Sequence, residues 1–187
     1  MSISRSKIIT RRGFNRMALS TLIGVGGVAA GMIDPAFAAL DTMKSLDRAS
    51  PDTLLVGDDG KTAPLAARAD RPLLVNLWAS WCPPCVHELP ALQHLDAALQ
   101  EDGMAVMLIG LDRKGRDFST QFLADKGITI ARSTYEKTGD FPRQLGVRVM
   151  PTSFFVQPGG RMIGVIEGPL EWDNPKIIAA VKKILQS

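Results

Sequence analysis

The chain has 187 residues, of which 45% are hydrophobic, 22% charged and 6% aromatic, a composition typical of one globular domain with a buried core. A formal charge of +3 could indicate an anionic partner, but residues 1–38 carry five of the 22 basic residues and only one of the 19 acidic ones. The rest of the chain therefore has a formal charge of −1, which argues against nucleic-acid binding.

The first 38 residues predict an export signal. A basic N-terminal region is followed by Met17 to Ile33, which carries no charge, and then by Ala36-Phe37-Ala38, a small-x-small cleavage site. The mature protein is expected to begin near Ala39. Four glycines make the apolar run weakly hydrophobic for a spanning helix, so a cleaved signal is favoured over a retained membrane anchor.

The basic part of this signal contains Thr10-Arg11-Arg12-Gly13-Phe14-Asn15-Arg16, which resembles a twin-arginine signal except that Asn15 replaces the usual apolar residue. An ordinary secretory signal and an organellar transit peptide are the alternatives. Both the twin-arginine route and the ordinary secretory route lead to a compartment in which disulfides persist. The expected location is the periplasm. We divide the chain into an export signal at residues 1–38 and a single domain at residues 39–187.

Strand and helix patterns alternate beyond the signal. Residues 40–48 are compatible with a short helix, and the sequence Gly57-Asp58-Asp59-Gly60-Lys61 indicates a hairpin turn between two short strands. Leu73 to Trp78 is a nearly continuous apolar run, typical of a central strand buried on both faces. From Pro83 to about Gln100, leucines recur at spacings of three and four, which predicts a helix with one buried face.

The second half of the chain continues this alternation. We predict a strand, a helix ended by Gly127, a short strand, a short helix closed by Gly146, a hairpin turning at Pro158-Gly159-Gly160, and a last helix that begins at Pro175. The predicted segments are 105–111, 118–125, 128–131, 141–145, 153–157, 161–166 and 175–185. The pattern predicts an α/β fold, with a mixed central β-sheet flanked by helices on both faces.

Cys82 and Cys85 are the only cysteines, and they lie where a predicted strand gives way to a helix. A structural role is disfavoured because a disulfide between them closes almost no loop. Zinc would need two further ligands, and the only histidines, His87 and His94, lie on the same helix; haem attachment would need a histidine where Val86 stands. A copper-binding assembly factor is an alternative, although no histidine follows residue 94. We interpret the pair as redox-active, without a metal or a cofactor.

The position of each cysteine predicts its role. Cys82 is expected at the helix N-terminus, where the helix dipole stabilises a thiolate and makes it the attacking nucleophile. Cys85, one turn further, is expected to resolve the mixed disulfide. Pro83 and Pro84 have no amide hydrogen, so they remove two donors to the thiolate. A less stabilised thiolate favours a reductant, and a disulfide oxidase or isomerase is the alternative.

The sequence Trp81-Cys82-Pro83-Pro84-Cys85 after a buried strand resembles the active site of the thioredoxin superfamily. Three further features fit the same family: Pro90, where these proteins kink the active-site helix; Met150-Pro151-Thr152, which resembles their cis-proline loop; and Gly168 after the last strand. The resemblance covers roughly residues 50–185.

A narrower resemblance is to the TlpA-like (TlpA/ResA/CcmG-type) extracytoplasmic thiol:disulfide reductases. Asn76 stands in place of the buried acid of cytoplasmic thioredoxins, Glu88 follows Cys85 by three residues, and Gly168-Pro169-Leu170-Glu171-Trp172 lies near the end. This resemblance implies a thioredoxin-like fold with an N-terminal hairpin and a βα insertion. It also implies that a membrane thiol reductase donates electrons, and that disulfide-bearing proteins of cytochrome oxidase copper-centre or c-type cytochrome assembly receive them. A monomer is expected.

Several neighbours of the cysteines have expected roles. Glu88 is expected to tune Cys85 or accept its proton, the alternative being a solvated carboxylate. Trp81 is expected to cover the sulfurs and contact partners, and the backbone of Met150 and Pro151 to bind an incoming strand. Asn76 is expected either to hold a water near the pair or to be a core amide bonded to backbone. Pro83, Pro84 and Pro90 are expected to support the site. Both histidines are expected at the surface.

Overall fold

The computed structural model describes residue 40 and residues 42–187. The predicted export signal lies outside these residues. Within them, no helix combines the length and the apolar character needed to cross a membrane.

The strands of the described residues form one mixed sheet. In chain order they are β1 (Lys44–Ala49), β2 (Leu54–Gly57), β3 (Thr62–Pro64), β4 (Leu73–Trp78), β5 (Ala105–Gly110), β6 (Ser133–Tyr135), β7 (Thr152–Val156) and β8 (Arg161–Glu167). Their spatial order is β1-β8-β7-β4-β5-β6-β2-β3. β4, β5 and β6 are parallel to one another, and every other pairing is antiparallel.

Helices connect the strands and cover the sheet. Among residues 42–187 they are α1 (Leu65–Arg68), α2 (Pro83–Gln100), α3 (Arg116–Asp125), α4 (Asp140–Leu145) and α5 (Pro175–Leu185). β2 and β3 form the expected N-terminal hairpin, and β6 with α4 forms the expected βα insertion between α3 and β7.

The core has two layers, one on each side of β4, whose six residues are all buried. Successive side chains of a strand point to opposite faces, so Leu73, Val75 and Leu77 join the cluster that includes residues of α1 and α4. Leu74 and Trp78 join the cluster that includes residues of α2, α3 and α5. The prediction of helices on both faces is therefore confirmed.

The helix predicted at residues 40–48 is wrong, because residues 44–49 form strand β1. This strand pairs antiparallel with β8 at one edge of the sheet, with Lys44 opposite Val165. Five of its six residues are exposed, so no buried face distinguishes it in the sequence. Hydrogen bonding of the backbone to β8 decides the conformation instead.

The strand predicted at residues 128–131 is also wrong. The strand lies slightly later, where Ser133 pairs in parallel with Leu108 of β5. Ile128 and Ile130 are buried on either side of the exposed Thr129, which produces the alternation of a strand in a segment that has no strand structure.

Candidate active site

Cys82 and Cys85 lie at the junction of β4 and α2 and form a disulfide, with their Cα atoms 5.3 Å apart. Cys82 is the N-cap residue of α2, and its Sγ atom accepts a hydrogen bond from the backbone N–H of Cys85 at 3.4 Å. Pro83 and Pro84 begin the helix. Because proline has no amide hydrogen, Cys85 is the first residue of α2 that can donate to the N-cap sulfur.

The two sulfurs differ in burial. Cys82 is 5% exposed and Cys85 is 0% exposed, so Cys82 is the one nearer to solvent. Trp81, directly before Cys82, is 65% exposed, which is unusual for so large an apolar side chain. The arrangement leaves an approach to Cys82 and shields Cys85.

The loop before β7 lies near the cysteines, at the edge of the sheet formed by the C-terminal end of β4. The Met150–Pro151 peptide bond is cis, and Thr152 pairs with Leu77 near the end of β4. The carbonyl of Pro151 accepts a hydrogen bond from the N–H of Gly168 at 2.9 Å, which joins this loop to the end of β8. Since β4 leads into the cysteine pair, the loop and the disulfide flank the same end of that strand.

Glu88 is buried beneath this edge, with 3% of its surface exposed, so the alternative of a solvated carboxylate is wrong. Its Oε1 atom accepts a hydrogen bond from Asn76 Nδ2 at 2.7 Å. Its Oε2 atom accepts from Trp172 Nε1 at 3.1 Å and from the backbone N–H of Leu170 at 3.3 Å. Burial raises the pKa of Glu88 to about 7, while these hydrogen bonds favour the carboxylate and act in the opposite direction.

Asn76 occupies the middle of β4 on the face that meets α2, between Leu74 and Trp78. Its Nδ2 atom donates to Glu88 and also to Ser153 Oγ at 2.9 Å, across the β4–β7 pairing. The prediction of an amide bonded to backbone is wrong, since both hydrogen bonds go to side chains. The amide instead links the buried carboxylate to the neighbouring strand.

Comparison with known proteins places this geometry in a family. The family model described as Redoxin matches residues 41–181. The chain belongs to the Redoxin family. It is 32% identical over 170 residues to the thiol:disulfide interchange protein HelX of Rhodobacter capsulatus, a match that covers 84% of this chain and 89% of HelX. Over 117 residues it is 29% identical to the thiol-disulfide oxidoreductase ResA of Oceanobacillus iheyensis, which covers 62% of this chain and 59% of ResA.

Solved structures of related proteins have the same fold. The pneumococcal exposed lipoprotein thioredoxin Etrx1 of Streptococcus pneumoniae superposes with a TM-score of 0.55 at 26% identity, over 71% of this chain and 99% of that chain. The thioredoxin-like fold predicted from the sequence is therefore confirmed. The resemblance to TlpA-like thiol:disulfide oxidoreductases is confirmed as well, and this Redoxin-family protein is a thiol:disulfide oxidoreductase.

Sequence reasoning missed one carboxylate of this Redoxin-family site. Asp112 follows β5 and is buried. It accepts hydrogen bonds from the N–H of Ser80 at 3.0 Å, from Ser80 Oγ at 2.7 Å and from Ser119 Oγ at 3.3 Å. Asp112 thereby holds the loop before the cysteines against α3. The available signal was an acid directly after a buried parallel strand, at the edge where sites of such sheets form.

Trp172 was recognised only as part of the segment that resembles TlpA-like proteins, and the sequence did not predict its hydrogen bond to Glu88. The two residues are 84 positions apart, and nothing in the local pattern links them. Pro90 lies inside α2, and His87 and His94 are exposed, as expected for both histidines. Among residues 42–187, no group of three or more histidine, cysteine or acidic side chains could hold a metal ion.

Proposed function

We propose that the protein is an extracytoplasmic disulfide reductase in which Cys82 is the nucleophile and Cys85 the resolving thiol. The observation that carries the proposal is the N-cap position of Cys82 followed by two prolines. The helix dipole favours a thiolate there, but the prolines leave the N–H of Cys85 as the nearest amide donor. A moderately stabilised thiolate gives up electrons more readily than the thiolate of a strong oxidant.

The reaction is a two-step exchange. The Cys82 thiolate attacks one sulfur of the client disulfide, which forms a Cys82–client bond and releases the other client sulfur as a thiolate. The Cys85 thiolate then attacks Cys82 Sγ, which forms the Cys82–Cys85 disulfide and releases the second client thiolate. The client gains two electrons and the protein loses two. The buried position of Cys85 suits the second step, because it protects this thiol from external disulfides.

Glu88 is proposed to handle the proton of Cys85. It lies three residues later in α2, and residues at this spacing are neighbours on one helix face. A carboxyl whose pKa is about 7 can accept a proton from the thiol and release it again near neutral pH. The hydrogen bonds from Asn76 and Trp172 keep the carboxylate in place for both steps.

The predicted export signal and the TlpA-like resemblance support a periplasmic location and define the partners that we propose. A membrane thiol reductase would return the Cys82–Cys85 disulfide to the dithiol. The clients would be disulfide-bearing proteins of cytochrome oxidase copper-centre or c-type cytochrome assembly. Trp81 and the Met150–Pro151 loop are proposed to contact them, since both lie at the sheet edge that carries the disulfide.

The reduction potential tests the direction of electron flow. The protein is equilibrated with glutathione redox buffers, and the fraction of oxidised Cys82–Cys85 is read by alkylation. We expect a potential below about −200 mV, towards the value of roughly −270 mV typical of reducing thioredoxins. A value near −120 mV would identify an oxidant and refute the role assigned to Pro83 and Pro84. Stoichiometric Cu(I) binding by both thiols without turnover of a disulfide would instead support a copper-binding assembly factor.

A further inference from the structure

Two adjoining clefts form a groove beside the disulfide, which we call the edge groove. One cleft of about 360 Å³ is lined by Trp81 and Phe118, and the other, of about 460 Å³, extends to Leu54. Arg113 and Lys114 line both clefts and mark where they meet. The edge groove therefore begins at the residue next to Cys82 and continues away from it.

The sheet topology explains why these residues share one edge. β4, β5 and β6 are parallel, so Trp81, Arg113 and Lys137, which follow these three strands, lie at the same edge. Antiparallel β2 pairs Val56 with Tyr135, so Leu54, two residues earlier, lies beside Lys137. Three strand spacings of about 4.8 Å separate β4 from β2, a distance that about four residues of extended chain would span.

Both ends of the edge groove are apolar and exposed. Trp81 at one end is 65% exposed, and Leu54 at the other is 59% exposed. Val149 is the third exposed large apolar residue of the described chain, and it directly precedes the Met150–Pro151 loop. Exposed apolar side chains concentrated along one sheet edge are typical of an interaction surface.

Three cations without an acidic partner lie between these apolar ends. Arg113, Lys114 and Lys137 are exposed, and within residues 42–187 no carboxylate lies within ion-pair distance of any of them. The Nζ atom of Lys114 lies 4.3 Å from the centre of the Phe118 ring, which holds its charge over the groove.

Three acids line the edge groove, and none of them adds an exposed unpaired carboxylate. Asp117 is paired with Arg116 at 2.8 Å, so this pair adds no net charge. Asp112 is buried and accepts hydrogen bonds from two serines. Glu136 is also buried; its Oε1 atom accepts from the N–H of Thr138 at 2.6 Å, and its Oε2 atom has no hydrogen-bond partner among the described residues. The chain beyond residue 38 has a formal charge of −1, so the exposed cations are a local feature and not part of a general excess.

We propose that the edge groove binds an extended acidic segment of the client, next to the client disulfide in sequence. Apolar side chains of this segment contact Trp81 and Leu54, and a carboxylate between them pairs with Arg113 and Lys114. The proposal rests on the proposed function, since it assigns the sequence preference of the same reductase. Electrostatic complementarity of this kind contributes more to the specificity of binding than to its affinity.

The test compares two peptides with the reduced full-length protein. Each peptide has one cysteine in a mixed disulfide with nitrothiobenzoate, flanked on both sides by four residues that include glutamates in one peptide and glutamines in the other. The release of nitrothiobenzoate is followed by its absorbance. We expect the glutamate peptide to react about fivefold faster, the size of two exposed charge contacts, and we expect the ratio to fall towards one at high salt.

A charge-reversed variant and a matched control locate the effect. The Arg113→Glu/Lys114→Glu variant should lose or invert the preference between the two peptides. The Lys126→Glu/Lys183→Glu control changes the net charge equally, but its residues lie near the C-terminal ends of α3 and α5, so it should keep the preference of the wild-type protein. Using the ratio of the two peptide rates within each variant removes any general effect on the cysteines.

Each other outcome overturns a definite part of the proposal. If the wild-type protein releases nitrothiobenzoate from both peptides at equal rates, the edge groove does not bind an acidic segment. The proposed reductase function would not be affected by this result. An equal loss of preference in the control variant would attribute the preference to net charge and would also refute the edge groove. Failure to release nitrothiobenzoate from either peptide would refute both the proposed function and the proposed binding at the edge groove.

Discussion

Replacing Glu88 with glutamine should make the stability of the oxidised protein less dependent on pH. The pKa of the Glu88 carboxyl is 4.5 in its ordinary state and about 7 in the fold, because burial disfavours the charged form. The folded protein therefore binds this proton more tightly than the unfolded chain. Burial of the carboxylate costs nothing below about pH 4.5, and the cost grows with pH until it is complete above about pH 7.

The size of the effect follows from the two pKa values. A shift from 4.5 to about 7 corresponds to a cost of about 3 kcal/mol in the free energy of unfolding once the carboxyl is fully ionised. Part of this cost is already present at pH 5, so we expect a change of roughly 2–3 kcal/mol between pH 5 and pH 8. Glutamine resembles the neutral acid and does not titrate, so the variant should lack this change.

The assay is urea unfolding of the oxidised wild-type protein and the Glu88→Gln variant at a series of pH values. The disulfide keeps Cys82 and Cys85 from titrating, and subtracting the two curves removes every other group that titrates in both proteins. Glu171→Gln is a matched control, because Glu171 is an exposed carboxylate in the same region. This control should follow the wild-type protein across the whole pH range.

The difference between wild type and Glu88→Gln is the decisive quantity. If it stays constant from pH 5 to pH 8, the pKa of Glu88 is not raised, and its assignment as a proton acceptor near neutral pH is lost. A difference that grows in favour of the wild-type protein at high pH would mean that the hydrogen bonds outweigh burial.

Three further substitutions test separate contacts. Trp172→Phe removes a hydrogen bond that lowers the pKa of Glu88, so the pH-dependent loss of stability should still begin near pH 4.5 but continue to higher pH and become larger, measured against the Trp172→Phe/Glu88→Gln double variant. Pro84→His restores an amide hydrogen in the first turn of α2 and should raise the reduction potential by about 30 mV or more in glutathione buffers. Asp112→Ala leaves buried donors unpaired and should lower the free energy of unfolding by about 3 kcal/mol, whereas exposed Asp117→Ala should cost less than about 1 kcal/mol in urea unfolding.

Opposite results would refute the reasoning behind each substitution. A pH-dependent loss in Trp172→Phe that ends at the same pH and has the same size as in the wild-type protein would mean that the N–H of Trp172 does not stabilise the Glu88 carboxylate. A lower potential for Pro84→His would separate the potential from the amide donors around Cys82. Equal stability losses for Asp112→Ala and Asp117→Ala would show that the buried hydrogen bonds of Asp112 contribute little.

Elements with a buried face could be predicted from the sequence. Leu73 to Trp78 and the helix from Pro83 to Gln100 have the bounds expected for them, because their apolar patterns reflect contact with the core. β1 could not be predicted, because its side chains are mostly exposed and its pairing with β8 depends on backbone groups far away in the chain. The strand expected at residues 128–131 failed because buried loop residues imitate the alternation of a strand.

The residues of the candidate site also differ in whether the local sequence predicts their positions. The cysteines and their prolines are contiguous, so their geometry at the helix N-terminus follows from the local sequence. The burial of Glu88 could not be predicted from its neighbours in the sequence, because Leu170 and Trp172, which donate to its carboxylate, lie 82 and 84 positions later in the chain. A pattern over a few residues contains no information about such distant partners. The raised pKa follows from the burial of the carboxylate, and the hydrogen bonds from these partners oppose it.

The two outer strands of the sheet limit how an unfolded polypeptide could bind to this domain. An unfolded chain can add itself as an extra strand to any free sheet edge and begin to aggregate there. β3 ends in Pro64 and has only three residues, and β1 has an irregular register and carries Lys44 and Arg48. Short length, proline, charge and irregular pairing each discourage strand addition. Strand addition at β1 and β3 is thus disfavoured, so a client bound as proposed would be released after exchange instead of aggregating at these lateral edges.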